Sequence, residues 1–214
     1  DILTFNGVPI DWSIDRAEFE DWIVPSGVFS HVGTYMSALN EVAGAIGAYV
    51  QPHDTARKLN VLLRYPTPAW DWAGLTPDLE LPAAVVSDEG IEWKHKAPYN
   101  RVFVYGQEGG VNCQYTRAGT AGDRVAPDVM HPLITAPAAG RQRGRAIISD
   151  TGAIATVTLR LPVLAETGVI KPGKFVRYVD EGVARVGLTR SVAVDVSMPT
   201  IYQTIRVETH VEPV

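Results

Sequence analysis

Five histidines, one cysteine, a run of acids among tryptophans and two glycine loops are the residues of this chain that could do chemistry. The histidines are His31, His53, His95, His131 and His210. No two have the spacing that puts metal ligands on one helical face, and Cys113 has no ligand neighbour in sequence. A surface or packing role is the simpler reading of each, and His53-Asp54 beside Pro52 reads as a polar turn. A phosphate-binding loop ends in a lysine and a hydroxyl residue that open a helix. Neither Gly106–Gly110 nor Ala118–Gly122 does, so both read as turns. The densest acids are Asp71, Asp78, Glu80, Asp88, Glu89 and Glu92. Two such carboxylates at the right separation could hydrolyse a glycoside, and Trp70, Trp72 and Trp93 among them could stack on a sugar. A solvated acidic loop is the plainer alternative. Ser149-Asp150, Ser191 and Ser197 have no nucleophile-elbow context. Arg117, Asp123 and Arg124 flank the second glycine loop and are candidates for an interface, pairing within one subunit or across two. No nucleophile, paired acid, metal set or cofactor motif stands out. The expectation is a protein that is not an enzyme and takes no metal or cofactor.

Composition narrows the class. The chain has 214 residues, 46% hydrophobic and 20% charged, enough to build a packed core of one or two domains. A net charge of −5 argues against a basic nucleic-acid surface. One cysteine cannot form an internal disulfide, and no apolar run approaches the ~20 residues of a membrane helix. The first residue is Asp1 rather than Met, which leads us to expect further sequence upstream.

The elements that must position these residues follow from local pattern. Ile2–Ile10 is β-like with a turn at Asn6-Gly7, and Asp15–Trp22 could form a helical turn or two. A helix is predicted over Thr34–Ile46, with Thr34 as N-cap and Met36, Leu39, Val42, Ala43 and Ile46 on one face. Gly47 suits its termination. Ala48–Gln51 and the alternating Leu59–Tyr65 read as strands. Pro66–Pro82 holds four prolines and two tryptophans, and reads as a long surface excursion pinned by aromatic residues. Strands are then expected at Arg101–Tyr105, Val111–Thr116, Ala153–Leu161, Phe175–Val179, Val183–Val196 and Ile201–Val207. Turns at Lys171–Lys174 and Asp180–Gly182 have hairpin chemistry. A second helix, Ala138–Ser149, starts after Pro137 and carries Gly140 and Gly144, which would let another backbone approach. The valine-rich strands suggest an antiparallel barrel, since closure removes aggregation-prone edges.

Several runs carry a resemblance. They are Pro98–Gly106 (PYNRVFVYG), Thr116–Asp123 (TRAGTAGD), His131–Thr135 (HPLIT) and Gly140–Ala146 (GRQRGRA). Leu159–Pro162 (LRLP), Gly168–Val176 (GVIKPGKFV), Gly187-Leu188 and Ile205–His210 (IRVETH) extend it. Together they resemble bacteriophage tail hub proteins, the late control protein D and baseplate-hub group with the related siphophage tail-tip proteins. The helix ending in Ile46-Gly-Ala-Tyr-Val50, followed by a strand pair, is of the kind those hubs carry. The resemblance covers about Thr34 to His210. It implies a homotrimer whose barrels form a ring joining the tail tube to a distal spike or fibre, in contact with other tail proteins and located in the virion after assembly in the bacterial cytoplasm. Such hubs usually carry two tube-type barrels, of which one is placed here, from about Tyr99 to His210. The resemblance supplies no catalytic residues.

The expected architecture is therefore α+β, mainly β. Residues 1–90 form a helix-and-strand unit with a proline- and tryptophan-rich excursion, and residues 91–214 an antiparallel barrel crossed by one helix. The alternative to a tail hub is a carbohydrate-binding module of a tail-associated protein, using Trp70 and Trp72.

Overall fold

The computed structural model describes residues 9–12, 22–84, 86–107, 111–180, 182–197 and 199–211. The expected turn at Asn6-Gly7, nearly all of the Ile2–Ile10 and Asp15–Trp22 segments, Gly109, Gly110 and Glu181 lie outside the described residues. The fold is α+β and mainly β, with two α-helices and twelve strands among the described residues.

The chain divides into two compact units that alternate along the sequence. Asp1–Pro68 and Tyr99–Asp150 make the first, and Ala69–Pro98 and Thr151–Val214 the second. A single cut after residue 90 would fall inside strand β5 (Ser87–His95), which belongs to the second unit. The reason is strand pairing: β5 is held by β9 (Ala153–Pro162), which begins 58 residues after β5 ends.

The first unit contains two small three-stranded sheets. One has the order β1 (Ile10–Trp12), β3 (Leu59–Leu63), β2 (Ala48–Pro52), and helix α1 (Tyr35–Ala45) packs on β2. The local chemistry of α1 is as expected. Thr34 caps it by accepting from Ser37 N at 3.1 Å, and Gly47 follows with φ +69°. Leu39, Ala43 and Ile46 are buried, whereas Met36 is exposed. The other sheet has the order β7 (Asn112–Thr116), β6 (Arg101–Tyr105), β8 (Val129–Met130). Helix α2 (Pro137–Ser149) lies on β6 and β7. Its two glycines are where the sheet comes closest. A Cβ on Gly144 would sit 2.5 Å from Tyr115 Cβ, and one on Gly140 would collide with Cys113 Sγ. Burial pushes the Cys113 thiol pKa up. The expectation that α2 crosses a barrel is thus corrected, since its partner is this small sheet.

The second unit is a six-stranded sheet with the order β4-β10-β11-β12-β9-β5. Its strands are β4 (Leu79–Glu80), β10 (Phe175–Asp180), β11 (Val183–Ser197) and β12 (Thr200–Val211), with β9 and β5. The predicted alternation of β9 holds: Ala155, Val157, Leu159 and Leu161 are buried with Val176, Tyr178, Ile205 and Val207 in one cluster. Burying each of the larger side chains stabilises by about 2 kcal/mol. Buried Gln203 ties the Gly168–Ile170 loop to the sheet. Its Oε1 accepts from Ile170 N at 2.8 Å and its Nε2 donates to Gly168 O at 2.9 Å.

Among the described residues β4 and β5 do not pair, so the sheet is open where a closed barrel was expected. Strand β4 is two residues long and stands between Pro77 and Pro82, which lack the donors a longer edge pairing would need.

The Pro66–Pro82 stretch is pinned by an aromatic residue as expected, but part of it is regular and the pin lies in the core rather than at the surface. Ala69–Gly74 forms a 3-10 helix, and Trp72 is 2% exposed. Its ring meets Phe175 edge-on at 5.4 Å and His210 at 4.9 Å between centroids. An indole this large fills the second unit's core in place of an aliphatic residue.

Candidate functional site

The interface candidates come first. Asn100 organises the second glycine loop from within the same chain. Its Nδ2 donates to Asp123 Oδ1 at 2.9 Å, and its Oδ1 accepts from Arg124 N at 2.9 Å. The Asn100 bond, then the Asp123 backbone amide and the nearby Arg124 and Arg101, hold the Asp123 carboxyl below its ordinary value of 3.8. A Cβ on Gly122 (φ +68°) would sit 2.5 Å from Arg101 Nη2, so only glycine fits between the loop and that guanidinium. Arg117 is half-buried, and Asp123 and Arg124 are exposed. The carboxylate is thus engaged inside the subunit.

The described acids do not converge. Asp78 accepts from Phe175 N at 2.8 Å and Lys174 Nζ at 3.0 Å, Glu80 pairs with Arg177 at 2.6 Å, and Glu92 with Lys94 at 3.3 Å. These are strand-to-strand and same-face surface pairs. The Asp88 and Glu89 side chains are outside the described set. Trp72 has no face to offer a sugar, because it is buried. Trp70 is half-buried and Trp93 is 49% exposed, so the glycan reading would rest on those two.

Among the described residues no three His, Cys, Asp or Glu side chains gather as a metal site. His53 Nδ1 accepts from Thr55 N and Ala56 N at 3.2 and 3.0 Å, the polar turn expected. His131 Nδ1 accepts from Leu133 N at 3.2 Å. Burial, reinforced by Arg143 and opposed by Glu41, lowers the His131 pKa from 6.5. A cavity of about 580 Å³ lined by Pro25, Val28, Gln107, Val111, Pro132 and Ile134, among others, carries no charged side chain among the described residues.

Two surfaces stand out that sequence reasoning did not single out. On β5, Ile91 pairs across to Val157 and Trp93 to Ala155, so both lie on the sheet's core face. Val157 and Ala155 are buried, yet Ile91 is 40% and Trp93 49% exposed. The core face therefore runs out to an uncovered edge. By contrast, the β4 edge is short and carries the Glu80–Arg177 pair. The second surface is the β11–β12 hairpin. Strand β10 reaches only to Leu188 on β11, and β9 ends opposite Tyr202 on β12. The tip projects past both neighbours and exposes Val194, Val196 and Ile201. Alternating valines announce a strand; the missing neighbours that expose them are visible only in the sheet order.

Sequence reading also missed a polar cluster at the start of α1. His31 Nε2 is 2.6 Å from Ser37 Oγ, and His31 Nδ1 is 2.6 Å from Glu41 Oε2. Ser37 and Glu41 are four apart on a helix, which is the one sequence signal available. His31 joins them through the turn at Gly33.

No family model matches the chain, and no curated protein matches it. Among solved structures its fold is similar to the tail protein from Neisseria meningitidis MC58, with 17% identity and a TM-score of 0.54 over 84% of this chain and 56% of that one. It is likewise similar to the 43 kDa tail protein of prophage MuSo2 from Shewanella oneidensis, with 16% identity and a TM-score of 0.55 over 96% of this chain and 62% of that one. The chain spans less than two thirds of the length of either. The likeness is one of fold.

Proposed function

We propose that the chain is a structural component of a bacteriophage or prophage tail, part of a hub or tail-tip protein that joins the tail tube to a distal spike or fibre. It works as a homotrimer in the virion, seated against other tail proteins, and carries out no catalysis in that role. The observation that supports this most is the uncovered core face at β5, on a fold shared with tail proteins. A nine-residue edge bearing Ile91 and Trp93 is an aggregation hazard in a monomer. In a ring it is an asset: the edge pairs with a neighbouring copy, and sheets joined this way make the closed barrel that one copy lacks. The projecting β11–β12 tip supplies a second apolar contact.

Light scattering of the full-length protein should give a trimer, and Ile91→Lys with Trp93→Lys should reduce it to monomer without lowering the melting temperature by more than a few degrees. A wild-type protein that stays monomeric at every concentration would end the proposal.

A further inference from the structure

We propose that Ser37, His31 and Glu41 form an acyl-transfer site that hydrolyses short-chain acyl esters presented at the protein surface. The chain of contacts is that of a nucleophile, a base and a carboxylate that orients the base. Ser37 Oγ lies 2.6 Å from His31 Nε2, and Glu41 Oε2 lies 2.6 Å from His31 Nδ1. With its proton on Nδ1 toward Glu41, the imidazole presents the Nε2 lone pair to the serine hydroxyl. That hydroxyl has a second acceptor in the Thr34 carbonyl at 2.7 Å. Rotation about one bond moves its proton from the carbonyl to the base.

The surroundings fit an approaching ester. A Cβ on Gly33 would lie 2.8 Å from both His31 Nε2 and Ser37 Oγ. Glycine there keeps clear the flank of the Ser37–His31 bond, and its φ of +154° is one that side-chain-bearing residues rarely adopt. Val32 is 99% exposed, and Tyr35 and Met36 are also exposed, so the segment that carries the hydroxyl presents apolar side chains to solvent. Ser37 stands in the first turn of α1, where the helix dipole favours developing negative charge, while its own amide is held by the Thr34 hydroxyl. The site is open rather than deep, which points to a small acyl group on a larger exposed carrier.

The reaction balances without a further reagent. Ser37 Oγ bonds to the ester carbonyl carbon while its proton passes to His31 Nε2. The carbon–alkoxy bond then breaks, and the leaving oxygen takes that proton from His31. Water, deprotonated by His31, attacks the acyl-serine, releases the carboxylic acid and restores the hydroxyl.

A fluorophosphonate probe on the full chain, with the labelled peptide identified by mass spectrometry, should mark Ser37. Turnover of p-nitrophenyl acetate should fall about 100-fold or more in Ser37→Ala and in His31→Asn, with Glu41→Gln losing less and retaining the label. The label reports on the wild-type protein, so a variant that fails to fold does not obscure the answer. Absence of labelling in the wild type, or labelling and turnover that persist in Ser37→Ala, would overturn the proposal and leave the three residues as a tether between the Phe29–Gly33 segment and α1. Trimer formation is a separate measurement, so this site and the tail role can fail independently.

Discussion

Arg190 grips Glu208 with two hydrogen bonds, Nε to Oε2 at 2.7 Å and Nη2 to Oε1 at 3.0 Å. The register of β11 on β12 slips between Thr189 and Ser191, so Arg190 is the extra residue of a β-bulge. The bulge aims its side chain at a carboxylate that is itself buried and also bonded to His210 Nε2 at 2.9 Å. A charge in this position is tolerable only while its partners remain.

Removing one partner should therefore cost more than removing both. Glu208→Gln or Arg190→Ala is expected to destabilise by about 2–4 kcal/mol, read as a lower urea midpoint. Arg190→Met with Glu208→Leu should recover much of that loss. A double variant as weak as the sum of the singles would show that the pair itself, rather than the stranded charge, is what matters.

Two glycine-to-alanine changes in helices should have opposite signs. Gly44 in α1 has nothing within 4 Å of an added Cβ, so Gly44→Ala should stabilise by about 0.5–1 kcal/mol through helix propensity. Gly144 in α2 faces Tyr115 at 2.5 Å, so Gly144→Ala should destabilise by about 1–3 kcal/mol despite the same propensity gain. Thermal melts of the two variants decide it; equal shifts would contradict the close approach of α2 and β7.

Trp72 should behave as a core residue. Trp72→Ala is expected to cost about 3–5 kcal/mol, and the Trp72 emission should resist acrylamide quenching. Quenching of that emission by added oligosaccharide in the folded protein would reverse the correction made to its role.

His131 links stability to pH. Its folded pKa lies below the ordinary 6.5, chiefly through burial and then Arg143. Above 6.5 neither state binds the proton and the group contributes no slope. Below 6.5 the unfolded chain binds it first, so stability falls as pH drops from 6.5 through the lowered folded value. Protonation of Nδ1 would also break the bond from Leu133 N. His131→Asn should flatten this part of the profile between pH 7 and 5 relative to wild type in urea titrations. Parallel profiles would remove His131 from the account.

What was legible in the sequence was whatever depends on neighbours a few residues apart. The Thr34 cap, the Gly47 terminator, Pro137 at the first turn of α2 and the alternation of β9 are set by backbone sterics and side-chain periodicity, and each is where it was read. The small residues of α2 also announced a close approach, though not to which strand. The resemblance to tail hubs pointed to the same class of fold that the solved tail proteins show.

Tertiary structure decided what depends on partners far along the chain. Trp72 is buried because Phe175 and His210, more than a hundred residues later, close over it. The sheet is open because, among the described residues, its edge strands β4 and β5 do not pair with each other, and no local pattern records which edges meet. Even His31 and Ser37, six residues apart, needed the turn at Gly33 to bring a ring nitrogen onto a hydroxyl. Periodicity states which face of a strand is apolar; only the packed chain determines whether anything covers it.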